Sequence, residues 1–155
     1  MLALSAGTAK AQFTKAELQV SGLTCAMCSK ATEKALSTLG FISNIKPDLN
    51  RNIFILTFNN SAPVNLEQIS KKVQDAGFSV NNLKATFNFN NTKLNSNSFN
   101  YSGDTYLVVS GADKLLNGPV PFTVVDKGFA PASVYKKYAT QNAETKTGKL
   151  YRVSI

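Results

Sequence analysis

The sequence has no histidine and no tryptophan, and it has only two cysteines among its 155 residues. Without histidine, the chain cannot build a Ser-His-Asp or Cys-His nucleophilic site from its own side chains. Two cysteines are too few for a disulfide-rich scaffold, so their spacing matters more than their number. No apolar run approaches the roughly 20 residues that a membrane-spanning helix needs. The composition therefore favours a folded protein that is not an integral membrane protein.

A concentrated block of basic residues is also absent, although the formal net charge is +8. Lysine and arginine alternate with acidic residues in the first half and are scattered in the second. Proteins that bind nucleic acids usually cluster these residues on one face. We therefore expect no nucleic-acid partner and interpret the charge as a solvated surface. Alternatively, the positive net charge attracts an acidic partner.

The first eleven residues, MLALSAGTAKA, are small and mostly apolar, and they end in Ala-Lys-Ala before Gln12. A triplet of this kind is typical of a secretory cleavage site. We expect residues 1–11 to be a signal-peptide remnant or a disordered tail, and the mature protein to be periplasmic or secreted.

Residues 12–87 alternate between strand-like and helix-like patterns. The segment KAELQVSG alternates apolar and polar residues, which predicts a half-buried strand. From Ala26 to Leu39 apolar residues recur at helical spacing, and Thr24 is suited to cap that helix. We expect its inner face to consist of Cys28, Ala31, Ala35, Leu36 and Leu39.

Two further strands, FISNIKPDLN and RNIFILTFNN, are expected to form a hairpin. The segment PVNLEQISKKVQDAGF predicts a second helix, with Asn65 as its N-cap and Gly77 at its end. A last strand begins at Phe78 and continues toward Phe87. The order β-α-β-β-α-β predicts an α+β, ferredoxin-like sandwich for residues 12–87.

The composition changes after Phe87. Residues 88–97 are rich in asparagine and serine, which predicts a linker. Residues 98–155 contain strand-like segments such as DTYLVVSG, VPFTVVD and KLYRVSI, with a short helix after Pro131. We therefore expect a small β-rich domain at 98–155, for which a barrel is one possible architecture and to which we assign no role.

The two cysteines, Cys25 and Cys28, lie where a loop meets the first turn of the first predicted helix. Unpaired amides and the positive end of the helix dipole favour thiolate there. A structural disulfide, a redox couple and a metal site all fit this spacing. A disulfide would close too short a loop to stabilise the fold much. Two soft sulfur ligands favour Cu(I), whereas zinc prefers four ligands.

The segments GLTCAMC, EKAL and DAGF, together with the order of elements, resemble the heavy-metal-associated domain over residues 16–87. This family includes copper chaperones, the N-terminal modules of copper-transporting ATPases and periplasmic mercury-binding proteins. The resemblance implies that Cys25 and Cys28 are metal ligands and that Phe78 shields the site. Leu23 replaces a family methionine that mainly packs and anchors the loop. We expect Met27 to face solvent.

The expected function is that of a soft-metal-binding protein, not an enzyme, that carries or buffers Cu(I) by thiolate exchange. Hg(II) suits the same pair, while Zn(II) would need carboxylates, water or a second molecule to complete its ligands. A metal-transporting ATPase or another metal-binding protein is the expected partner. Two other functional classes also fit the sequence. One is a thiol–disulfide oxidoreductase, and the other is a binding module that acts through its β-rich half.

Overall fold

The computed structural model describes residues 11–23, 25–59, 61–111, 115–143, 145 and 148–155. The elements, in chain order, are β1 (Gln12–Ser21), α1 (Ala26–Leu36), β2 (Ile42–Asp48), β3 (Ile53–Phe58), α2 (Leu66–Asp75), β4 (Ser79–Lys93), β5 (Ser98–Tyr101), β6 (Asp104–Ser110), β7 (Leu115–Val124), α3 (Ala132–Tyr138) and β8 (Leu150–Ser154). The expected β-α-β-β-α-β order is therefore confirmed over β1–β4. Nearly all of the expected signal remnant, residues 1–10, and the expected N-cap Thr24 lie outside the described residues.

All the strands belong to one sheet in the order β2-β3-β1-β4-β7-β8-β6-β5. Strand β1 pairs antiparallel with β3 on one side and β4 on the other, as a ferredoxin-like sheet requires. The barrel considered for residues 98–155 is wrong, because this sheet is open and β2 and β5 form its edges. The last strand, β8, lies between β7 and β6 and runs parallel to β6. The second half of the chain therefore widens the first sheet instead of closing on itself.

The expected linker at residues 88–97 requires a correction, because residues 88–93 form the second half of β4. Strand β4 pairs with β7 from Lys84 to Lys93. Along β4 the side chains of Phe87 and Phe89 are buried, whereas Asn90 is exposed. The alternation of a strand thus continues to Asn90, inside the expected linker, and an irregularity in the pairing with β7 follows between Phe89 and Thr92. The sheet passes from one half of the chain to the other without a break.

One cluster of aromatic rings joins the two halves of the chain. The ring centroids of Phe13 and Tyr101 are 5.0 Å apart, and those of Phe87 and Phe99 are 5.3 Å apart. The Tyr101 hydroxyl also accepts a hydrogen bond from the Val64 backbone amide at 2.9 Å. Strands β1 and β5 are far apart in the strand order, so the sheet must twist and coil to bring these rings together. The expected boundary between residues 12–87 and 98–155 therefore crosses a shared core.

The buried face of α1 agrees only in part with the expected one. Leu36 is buried within the helix and Leu39 just after it, as expected, but Ala31 is exposed and the other buried helix positions are Ser29 and Thr32. These last two residues are polar, so apolar spacing alone could not identify them. The Thr32 hydroxyl donates a hydrogen bond to the Cys28 carbonyl at 3.1 Å, which pairs this buried hydroxyl. Cys28, one residue before the buried Ser29, is half-buried.

Helix α2 follows its sequence signals closely. The Asn65 side chain caps the helix by accepting a hydrogen bond from the Gln68 amide at 3.2 Å. Its buried positions pack with those of β1 in the main core, and they include Leu66, Ile69 and Val73. Gly77 follows the helix with φ +93°, a conformation that glycine adopts at little cost. None of the described helices is long and apolar enough to cross a membrane.

Gly148→Ala is expected to destabilise the protein more than Gly103→Ala. Both glycines have positive φ, +83° and +85°, so alanine should cost each about 1–2 kcal/mol in backbone strain. A Cβ atom on Gly148 would also overlap the Gly103 carbonyl oxygen, whereas one on Gly103 would meet nothing within 4 Å. That overlap should add about 1–3 kcal/mol. Urea unfolding of the two variants measures the difference, and equal midpoints with equal slopes would contradict it.

Candidate metal centre

The end of the loop between β1 and α1 and the first turn of that helix present Cys25 and Cys28 at one end of the sheet. Cys25 is the N-cap of α1, with extended backbone angles of φ −151° and ψ 161°. Its Sγ atom accepts a hydrogen bond from the Cys28 backbone amide at 3.2 Å. Cys25 is exposed and Cys28 is half-buried, and both are free thiols. The N-cap role that we expected for Thr24 therefore belongs to Cys25.

The two sulfur atoms converge. Their Sγ atoms are 2.6 Å apart. The hydrogen bond from the Cys28 side chain, followed by the one from the Cys28 amide, lowers the pKa of Cys25 from its ordinary value. A thiolate is both the nucleophilic form of cysteine and the form that binds metals. The first turn of α1 thus prepares one sulfur for either role.

A pocket of about 210 Å³ opens beside Cys25. One wall is the loop before α1, with Leu23 and Cys25, and the other is the end of β2 and the turn after it, with Asp48 and Leu49. Leu49 is 62% exposed, which is unusual for a leucine and leaves this wall open to solvent. Because Cys28 is half-buried, Cys25 is the sulfur that an incoming ligand can reach more easily.

Carboxylates do not complete a ligand set here. Asp48 forms an ion pair with Arg51 at 2.8 Å, and its hydrogen bond to Arg51 lowers the pKa of the Asp48 carboxyl. Its charge is thus already paired, and its oxygen atoms are hard ligands that suit soft ions poorly. Among the residues that the structure describes, no group of three or more His, Cys, Asp or Glu side chains could hold a metal ion. The described site offers two sulfur ligands.

Leu23 and Met27 lie as expected from the sequence, whereas the shielding role expected for Phe78 stays a prediction. Leu23 is partly buried and packs against the core, as expected for a residue that anchors the loop. Met27 is 81% exposed and faces solvent. Phe78 is partly buried and packs against the same core, at the start of β4. The pairing of Ser21 with Ser79 brings Phe78 to the end of the sheet where the cysteine loop begins.

Residues 17–79 match the family model of the heavy-metal-associated domain. The matched residues include both cysteines and Phe78, so the resemblance seen in the sequence is confirmed. The family match ends at residue 79, so nearly all of β4 and all of β5–β8 lie outside it.

Several solved structures are similar to part of this chain. A copper binding domain from HMA7, a P-type ATPase, is 31% identical, covering 43% of this chain and 89% of its own, with a TM-score of 0.39. Oxidized MerP from Ralstonia metallidurans CH34 is 26% identical over 44% of this chain and 96% of its own, with a TM-score of 0.39. The CopZ metallochaperone is 24% identical over 43% and 98%, with a TM-score of 0.40. No curated protein matches the chain.

Sequence reasoning missed two features of the site. The first is the wall that Asp48 and Leu49 contribute beside Cys25. It could have been found from the topology, because antiparallel pairing of β1 with β3 places the turn before β3 at the same end as the cysteine loop. The second is the approach of the Phe78 ring to Gly22, where an added Cβ atom would lie 3.3 Å from the ring. No local pattern reveals it, because the two residues are brought together only by the register of β1 and β4.

Proposed function

We propose that the protein binds one Cu(I) ion between Cys25 and Cys28 and carries or buffers it by exchanging thiolate ligands. The observation that carries the proposal is the convergence of two free thiols at the exposed N-terminus of α1, within a heavy-metal-associated domain. Soft thiolates select soft ions, and a site with two sulfurs meets the needs of an ion that accepts two ligands. Hg(II) would use the same pair, and Zn(II) would need further ligands from a second molecule or water.

A linear site needs two sulfurs about 4.6 Å apart, given metal–sulfur bonds of about 2.3 Å as in zinc thiolates. Cys28 is held within α1, whereas Cys25 lies at the exposed N-cap of that helix. Cys25 is therefore the ligand that an incoming thiolate is expected to reach and displace first.

A carrier of this kind needs a partner with its own soft ligands. We propose a metal-transporting ATPase or another metal-binding protein for this role, and a periplasmic or secreted location from the sequence of residues 1–11. No chemical transformation is required of the chain, so the proposal is a non-enzymatic one.

Native mass spectrometry under anaerobic conditions tests the proposal. The reduced protein should bind one Cu(I) ion, because only two thiolates are available to hold it. Protein in which Cys25 and Cys28 have been oxidised to a disulfide should bind none, because a disulfide offers no thiolate. Stoichiometric Cu(I) on confirmed disulfide would contradict the proposed ligands.

A second candidate function is thiol–disulfide exchange, favoured by the exposed Cys25 thiol with its lowered pKa beside a second thiol. A turnover assay with a disulfide-bonded substrate separates the two functions. A carrier should show only the background rate. Turnover above background that disappears in Cys25→Ser would favour the oxidoreductase.

A further inference from the structure

A cavity lies between α2 and the second half of the chain, apart from the cysteine pair. Its volume is about 560 Å³, within the range of sites that hold small organic molecules. Lys71 of α2 lies on one wall, and the other wall contains Lys127, in the turn after β7, and Lys149, just before β8. The cavity shares no described lining residue with the pocket beside Cys25. Because the family match ends at residue 79, the second wall lies entirely outside it.

Two contacts hold the walls of this cavity together. The buried Ser70 hydroxyl donates a hydrogen bond to the Gly128 carbonyl at 2.7 Å and accepts one from the Gln74 side chain at 3.1 Å. Glu67 of α2 forms an ion pair with Lys149. Both contacts join α2 to the second half of the chain, so the cavity has a defined shape before any ligand binds.

The cavity carries an excess of positive charge. Its described lining contains three lysines and one glutamate, a net charge of +2. That glutamate, Glu67, is already paired with Lys149. Within the described part of the chain, no carboxylate forms an ion pair with Lys71 or Lys127. Each wall thus contributes one ammonium group that can bind a negatively charged group of a ligand.

The other groups in the lining favour a phosphorylated sugar. Lysine binds phosphate as a compact point charge. Asn65 and Gln68 add side-chain amides, which can hydrogen-bond hydroxyl groups both as donors and as acceptors. Phe129 is the one aromatic residue in the described lining, and it is only 3% exposed, so the flat base of a nucleotide has no ring there on which to stack.

We propose that this cavity binds a small sugar phosphate that carries two phosphate groups, with Lys71 holding one group and Lys127 the other. The site needs both halves of the chain, since each half contributes one of these lysines. The inference does not rest on the proposed metal-binding function, and it can be measured on the metal-free, reduced protein. The two proposals can therefore fail separately.

Isothermal titration calorimetry of the whole chain at low salt tests the inference, with fructose 1,6-bisphosphate as the probe. One molecule should bind per chain, and binding should weaken at high salt, because salt screens the attraction between exposed charges. Inorganic phosphate should bind about tenfold more weakly or worse, because it can engage only one of the two lysines at a time. No saturable binding of the bisphosphate, or equal affinity for inorganic phosphate, would overturn the inference.

Variants that remove one charge locate the site. Lys71→Gln and Lys127→Gln should each weaken binding of the bisphosphate about tenfold, which is the order lost with one charge-assisted hydrogen bond. Lys72→Gln is the matched control, because it removes the same charge from the next position of α2 and Lys72 does not line the cavity. Its affinity should stay close to that of the unaltered protein.

Equal weakening by Lys72→Gln and Lys71→Gln would show that the bisphosphate responds only to net charge, and would overturn the proposed site. Circular dichroism checks that the variants are folded, and both Lys71 and Lys127 are exposed, so their replacement should leave the core intact. Bisphosphate binding with these results in a protein that fails to bind Cu(I) would instead refute the metal proposal alone.

Discussion

The Cys28→Ser variant is expected to bind Cu(I) more than about 100-fold more weakly than the unaltered protein. Loss of a residue that only supports the ligands can cost a metal site roughly 100-fold in affinity, and loss of a ligand should cost more. A neutral hydroxyl is a hard, weak ligand for a soft ion, and the described residues offer no third sulfur beside the pair except the exposed thioether of Met27. Cys25→Ser should have a similar effect on affinity. Serine is a good N-cap, so this variant keeps the start of α1 intact.

Anaerobic competition with a chromogenic Cu(I) chelator measures these affinities. Met27→Ser is the matched control, because it removes a sulfur atom from the first turn of α1, between the two cysteines, while both thiols remain. It should compete as well as the unaltered protein. If Cys28→Ser also competes equally well, the metal site lies elsewhere in the chain.

Acid should weaken this binding for the same reason. Protons compete with the metal for both sulfurs, so the affinity should fall as the pH is lowered. The lowered pKa of Cys25 keeps its thiolate form at a lower pH than an ordinary cysteine does, and should move that loss to more acidic conditions. Competition measured across a range of pH checks the direction, and an affinity that rises with acidity would speak against thiolate ligands.

Sequence reasoning predicted the features of the structure that are determined by residues close together in the sequence. Asn65 caps α2 through a bond to Gln68, three residues away, and the cysteine pair sits at a helix start for equally local reasons. The buried face of α1 was predictable only in part: Leu36 is buried as expected, but two other buried positions were missed. Ser29 and Thr32 are polar residues whose burial depends on the elements around them, and the Thr32 hydroxyl is paired within its own helix.

In the second half of the sheet, strand pairing depends on residues that are far apart in the sequence. Strand β8 pairs with β6 and β7 across long separations in sequence, and alternation within a strand says nothing about which neighbour it takes. The asparagine-rich composition after Phe87 predicted a linker, but Phe89 within that stretch is buried on the same face of β4 as Phe87. A change in composition was therefore a poor guide to where one core ends and another begins.

A fragment of residues 12–87 is expected to be much less stable than one of residues 12–155. Removing the second half exposes Phe13 and Phe87, whose rings lie 5.0 Å from Tyr101 and 5.3 Å from Phe99. Burial of one phenylalanine contributes about 1.5–3 kcal/mol, so losing much of it at two positions should cost about 3–6 kcal/mol. At roughly 4–8 °C per kcal/mol for a domain of this size, the melting temperature should fall by more than about 10 °C.

Thermal unfolding of the two fragments measures this difference, and both begin at Gln12 so that only the second half differs. Replacing Phe87 with serine in the short fragment is the companion variant. It removes one exposed ring, so it should reduce aggregation without restoring stability. Where the short fragment stays folded, it should retain its Cu(I) affinity, because both cysteines and Phe78 remain. A short fragment that melts at the temperature of the long one would show that residues 12–87 form an independent domain, and that the shared aromatic cluster contributes little to its stability.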